Sequence, residues 1–297
     1  LRYSLVMNTD SDSPKRPWEP ITFKGVAGFA QAPLRRLLAV ELVVALGVAI
    51  CTAWFVATAW TPVFTAAIAR LPEESVIRGG KLEWPDTTPA TLAEESFLSI
   101  HVDPHASGNA GQVADLQLEF RARELRLQSV FGYATIPYPH GWIILLNRAK
   151  LEPWWGAWRP AVVAGAGVGA FFGLLTGWAF LALAYAFAVR LLSLYANRQI
   201  TWLGCWKLAS AALMPGALLV IGAILLYGLE RLSLVGLLLA GALHLLVGWV
   251  YLVGAPLRLP RIGDVLTPGA NPFAGPATPG AVSEAPGGKE IDREPEP

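Results

Sequence analysis

The string with the most evident chemistry is His101-Val102-Asp103-Pro104-His105. On a strand, alternate side chains share a face, so His101 and Asp103 project together and His105 folds back past the proline. Imidazoles and a carboxylate suit zinc or a related ion. Against this, His140 is distant in sequence, and three ligands two apart seldom enclose a metal unaided. The plainer reading is a strand ending in an Asp-Pro turn with two exposed histidines, so the sequence calls for no metal and no other cofactor. It also carries no Walker string, no Gly-x-Ser-x-Gly elbow and no His-Glu-x-x-His helix.

Four further groups lie in apolar surroundings. His244 is the thirteenth residue of an apolar run of 24, and an ionisable residue within a membrane is a functional candidate by default. The alternative is a neutral imidazole bonded to a neighbouring helix, with Ser210, Thr176 and Tyr185 as the available companions. Glu41 sits one turn inside another apolar run, where it reaches the interface or pairs with Arg35 or Arg36. Cys51 and Cys205 read as small packing residues.

The elements that hold these residues are dictated by composition. Of 297 residues, 54% are hydrophobic and 15% charged, against about 25% charged in soluble domains. Too few ions remain to cover a water-facing surface, which excludes an ordinary cytosolic enzyme. A net charge of +1 offers nucleic acid no field. Two cysteines cannot frame a disulfide-rich secreted fold.

Segments 38–60, 161–189, 208–229 and 232–255 are each long enough to cross a hydrocarbon core, which takes about 20 residues. The first exceeds the apolar stretch of a signal peptide, although Ala57-Thr58-Ala59 resembles a cleavage site. Lys15, Arg16, Lys24, Arg35 and Arg36 precede the first span. Arg190, Arg198 and Lys207 lie between the second and third with no acid, and Arg258 and Arg261 follow the fourth. The positive-inside rule then places both termini in the cytoplasm and residues 61–160 outside. Trp54, Trp60, Trp154, Trp155, Trp158, Trp202, Trp206 and Trp249 fall at span ends, as interfacial aromatics do.

In 61–160, Ala114, Leu116, Leu118 and Phe120 alternate with Asp115, Gln117, Glu119 and Arg121, and the pattern continues through Leu125 and Leu127. That period marks half-buried strands. Val76–Leu82 holds a Gly79-Gly80 hairpin turn, while Ser96–Val102 and Trp142–Leu146 are further strands. The expected fold is therefore an α+β integral membrane protein: four transmembrane helices, with a small extracytoplasmic antiparallel β domain (61–160) between spans one and two. Around them lie a cytoplasmic leader (1–37), a cytoplasmic loop (190–207) and a tail (263–297). The tail has 6 Gly and 7 Pro, the composition of a disordered segment. Met7 opens a polar, Pro-bearing stretch typical of a start, which leaves open whether residues 1–6 belong to the native chain.

Span two carries Gly165, Gly169, Gly173 and Gly177; span four carries Gly236, Ala240, His244 and Gly248. At a spacing of four, each set stays on one slowly drifting helix face. Small residues permit the close approach that drives association in lipid, so spans two and four are expected to pack through these stripes.

Leu71-Pro72 followed by Gly80-Lys81-Leu82, the run Trp206-Lys207-Leu208-Ala209 with Pro215, and Ala255-Pro256-Leu257-Arg258-Leu259-Pro260 form a further set. Together, over roughly 35–260, the chain resembles a family of uncharacterised bacterial inner-membrane proteins described as a domain of unknown function. The resemblance implies one amino-proximal span, an outside β domain and a carboxy-terminal helical bundle, and it implies no activity. The long leader and the Gly/Pro tail depart from it.

The function expected from these features is non-enzymatic. A multi-pass protein of a bacterial inner membrane, embedded in the lipid bilayer, presents its outer domain to a protein partner or ligand as an assembly factor, accessory subunit or sensor. The alternative is a small transporter or channel-like protein that uses His244.

Overall fold

Pro33, held extended, ends the preceding turn and lets a helix start at Leu34. The computed structural model describes residues 19–86, 88–105 and 112–261. Within them a short helix α1 (Phe23–Phe29), capped by Thr22, precedes α2 (Leu34–Phe55). At Val56–Trp60 the helix widens into a π turn and continues as α3 (Thr61–Ala69). Pro62 accounts for the position, because it has no N–H for the carbonyl of Thr58 and its ring crowds that carbonyl. The hydroxyls of Thr58 and Thr61 donate back to the Trp54 and Ala57 carbonyls.

Among the described residues, eight strands follow. They are β1 (Val76–Arg78), β2 (Lys81–Glu83), β3 (Ala90–Glu94), β4 (Leu98–Val102), β5 (Leu116–Phe120), β6 (Glu124–Ser129), β7 (Gly132–Pro137) and β8 (Ile143–Leu145). One sheet has the order β2-β1-β8 and the other β3-β4-β5-β6-β7. Gly79 and Gly80, at φ 59° and 74°, form the two-residue turn between β1 and β2. A side chain at Gly80 would also strike the His140 ring, 2.5 Å from its Cβ position.

Asn147 caps α4 (Arg148–Tyr195), Thr201 caps α5 (Trp202–Gly228) and Ser233 caps α6 (Leu234–Gly254). A short 3-10 turn, Pro256–Arg258, follows. After α4 and α5 the chain turns through left-handed residues, Asn197 and Glu230, and the N–H groups of Arg198 and Arg231 close each helix on Ser193 and Leu226. Four stretches are long and apolar enough to cross a membrane: Leu34–Ala69, Arg148–Tyr195, Trp202–Gly228 and Leu234–Arg258.

The boundaries differ from the expected ones. Residues 34–37, assigned to the leader, belong to α2. Residues 61–69 and 148–160, assigned to the β domain, are helical, as are both ends of the loop 190–207. The 48 residues of α4 extend about 72 Å at 1.5 Å per residue, more than twice a hydrocarbon core. Its first turns pack beside α3, where Trp155 Nε1 donates to Thr65 Oγ1 at 3.0 Å. Pairing is antiparallel except between β4 and β5, which run parallel, so the sheet is mixed rather than wholly antiparallel. Residues 1–18, residues 106–111 and the tail from 262 lie outside the described residues.

Two apolar cores result. In the first, α5 is the central helix, with Leu208, Leu213 and Met214 fully buried against α2, α4 and α6. In the second, Val63, Ala67 and Leu71 meet Leu92, Leu98, Ile100 and Val102 of the larger sheet.

Candidate functional site

β4 is buried along its whole length, which makes it the strand to which the rest of the sheet is referred. Its Leu98, Ile100 and Val102 face the second core. The intervening Ser99 and His101 begin a polar belt on the other face. Register carries that belt across the sheet: Ser99 lies beside Gln117 and Gln128, and His101 lies between Thr91 and Glu119, with Arg126 next.

Alternation led to the expectation that Leu116, Leu118 and Phe120 mark the covered face of β5. They are half-buried, whereas Gln117 and Glu119 are buried. The Ser99 hydroxyl, both polar atoms of the Gln117 amide and His101 Nε2 have no hydrogen-bond partner. Buried groups of this kind are costly unless something answers them. Glu119 is held by Arg121 at 2.9 Å, and the Arg126 guanidinium lies 4.1 Å from the Tyr133 ring centre.

His101 and Asp103 are both buried, whereas His105 is exposed. The His101 Nδ1 is 3.0 Å from Thr91 Oγ1. Among the described residues no group of three or more His, Cys, Asp and Glu is assembled for a metal ion. Burial pushes the His101 imidazole below its ordinary pKa, against the opposing pull of Glu94 and Glu119.

The sheet meets the helices at an aromatic joint that sequence reasoning did not single out. Phe97, one residue before β4, packs 5.2 Å from the Phe55 ring of α2 and 4.8 Å from the Tyr227 ring of α5. Phe55 and Tyr227 are themselves 5.2 Å apart, and Trp60 lies against Phe55 at the π turn. Tyr227 Oη donates to Asp115, one residue before β5, at 2.7 Å. The starts of both parallel strands are thus fixed to α2 and α5. Gly228 completes the fit, since a Cβ there would lie 2.6 Å from Trp54.

Within the helices, Glu41 is buried and accepts a hydrogen bond from Ser210 Oγ, rather than pairing with Arg35 or Arg36. Ser210 is therefore committed to Glu41 and not to His244. His244 is half-buried on α6 and faces α5, where a Cβ on Gly216 would lie 2.5 Å from its Nδ1. Tyr185 stacks near Trp249 at 5.3 Å. Cys205 is fully buried and Cys51 half-buried, and both are free.

The glycine stripes do not pair. Nothing lies within 4 Å of a Cβ built on Gly165, Gly169, Gly173 or Gly177. Gly167 is the packed one, its Cβ position 3.1 Å from the Ala49 carbonyl oxygen and 3.2 Å from Ala53 Cβ of α2. On α6, Gly248 approaches Leu213 of α5, Gly236 meets its own capping segment, and Ala240 is half-buried. The physical reason is that the α6 stripe faces α5 through His244 and Gly248, the α4 stripe meets no other helix of the described residues, and α4 touches α6 instead through the rings of Tyr185 and Trp249.

On the open side of the sheet, β7 is an edge strand exposed at every residue. Phe131, Tyr133 and Ile136 are 77%, 68% and 53% exposed on and beside it. No family model, no curated protein and no solved structure matches the chain. The functional reading therefore rests on these residues.

Proposed function

We propose that the protein is a non-enzymatic, multi-pass protein of a bacterial inner membrane, with both termini cytoplasmic. Its sheets face outward, engage a protein partner and pass the state of that contact to the helices. The observation that carries this reading is the joint. Phe97 and Asp115 stand at the starts of two adjacent parallel strands, and both are fixed to the outer ends of α2 and α5. A displacement of β4 and β5 must therefore move one of these helix ends or break the joint. The π turn at Val56–Trp60 supplies a place where α2 can adjust, as such turns do at functional sites.

The surface that suits a partner is the β7 edge. It offers unpaired backbone groups beside exposed apolar side chains, the features by which an extended segment adds to a sheet. The full-length protein, tagged and purified from its native membrane, should retain a stoichiometric partner that Tyr133→Asp releases. If no partner is retained, and proteoliposomes instead show proton-linked flux that His244→Ala abolishes, the transporter reading replaces this one.

A further inference from the structure

At the end of the helices remote from the sheets, a cleft of about 830 Å3 lies between α1, the end of α4, the start of α5 and the chain around Pro260. That volume falls in the range of small-molecule pockets, about 300–1,000 Å3. Its lining includes Arg190, Arg198 and Lys207, and among the described residues it includes no Asp or Glu. Each cation is anchored by a main-chain carbonyl: Arg190 donates to Ile200 at 2.6 Å, Arg198 to Leu259 and Lys207 to Ala32 at 2.7 Å. Neither ion pair of the described residues involves them. Lys207 is 8% exposed, and Arg198 Nε is buried without a partner. The amino end of α5, a helix of 27 residues capped by Thr201, opens on the same cleft and adds its partial positive charge.

Three cations and a helix amino end share one cavity with no carboxylate among its described lining residues, and leaving such charge unanswered in a partly buried site is unfavourable. We infer that the cleft binds a phosphate-bearing anion, taken either from an anionic phospholipid headgroup or from free phosphate. Guanidinium groups fit phosphate oxygens in pairs, and carbonyl anchoring holds both arginines in place before the anion arrives. Trp202, over which the Arg190 guanidinium sits at 5.6 Å, follows the lining residue Thr201 and is 59% exposed. An indole there suits the headgroup layer. The headgroup source rests on the membrane reading, whereas the phosphate chemistry does not.

The test uses full-length protein, stripped of lipid in a neutral detergent and titrated separately with dioctanoyl-phosphatidylglycerol, dioctanoyl-phosphatidylcholine and inorganic phosphate. Apparent Kd is read from the ligand-dependent rise in Tm. Phosphatidylglycerol should bind at least about fivefold more tightly than phosphatidylcholine, and Arg190→Gln should weaken it about fivefold, the value of one basic residue near an anionic surface. Arg190 and Arg198 also tether Ile200 and Leu259, so loss of either risks misfolding. Gln199→Glu instead adds a carboxylate to the lining, removes no tether and should weaken binding at least as much. Arg231→Gln, at the other end of the helices, should leave the Kd unchanged. Variant-sensitive binding of phosphatidylglycerol alone assigns the site to a headgroup, and variant-sensitive binding of inorganic phosphate assigns it to the free anion. If neither binds, or if Arg190→Gln and Gln199→Glu bind as the native protein does, the inference fails.

Discussion

Replacing Gly167 with leucine should destabilise the helices, while the same change at Gly169 or Gly173 should not. A Cβ on Gly167 would stand 3.1 Å from the Ala49 carbonyl oxygen, a main-chain atom that moves only with its helix, and 3.2 Å from Ala53 Cβ. Alanine needs a shift of a few tenths of an ångström, which the gain of about 0.8–1 kcal/mol in helix propensity offsets. Leucine adds three more carbons in a space already closed, and overpacking of that kind costs about 1–3 kcal/mol. At Gly169 and Gly173 nothing lies within 4 Å, so only the propensity gain remains and the expected change is neutral or stabilising. The two classes should differ by about 2 kcal/mol, or about 4–8 °C in Tm at the usual scaling. Thermal unfolding in detergent, followed by intrinsic tryptophan fluorescence, measures this directly. Equal destabilisation at Gly167, Gly169 and Gly173 would refute the reasoning, because it would require the open stripe to lie in an interface.

Other outcomes follow from single contacts. Burial lowers the His101 pKa, so the folded chain resists a proton that the unfolded chain accepts near pH 6.5. The resulting stability is present above that pH and is lost as pH falls through the folded value; His101→Gln should flatten this limb in Tm measured from pH 8 to 5. Ser210→Ala strips Glu41 of its hydroxyl partner in a buried setting and should cost about 1–3 kcal/mol by chemical denaturation, whereas Glu41→Gln with Ser210 intact should cost less. With Cys51 and Cys205 replaced, a cysteine at Thr135 should react with a membrane-impermeant maleimide in spheroplasts, and one at Gln199 should react only after lysis. Reversal of that pattern would invert the orientation drawn from Lys and Arg.

The four apolar helices were legible because length and charge exclusion are one-dimensional signals. Their ends were not. The second span was drawn from residue 161, yet α4 runs through Pro153 and Pro160 and begins thirteen residues earlier, toward the sheets. Likewise Trp60 read as a boundary, although the helix crosses it by widening into a π turn. Strand positions were also legible from their alternation, and the Gly79-Gly80 turn from its residue types. Alternation says nothing of a partner's direction, so the parallel pairing of β4 with β5 was invisible. It also does not distinguish a sheet covered on one face from one covered on both, which is why Gln117 and Glu119 were expected outside. Glycine spacing marks a helix face without naming what that face meets. The joint escaped because Phe55, Phe97, Asp115 and Tyr227 are scattered over the chain and form no motif.

The sheets and the helices are coupled through that joint in the proposed function. Hydrogen exchange of the full-length protein in detergent, native against Phe97→Ala, tests it directly. Phe97 is 8% exposed, and its truncation should remove about 3–5 kcal/mol of packing, most of it from contacts with Phe55 and Tyr227. Exchange should then rise in residues 55–60 and 222–229, while β5 and β6 keep their protection. Unchanged exchange at both helix ends, with the sheet alone loosened, would contradict the coupling.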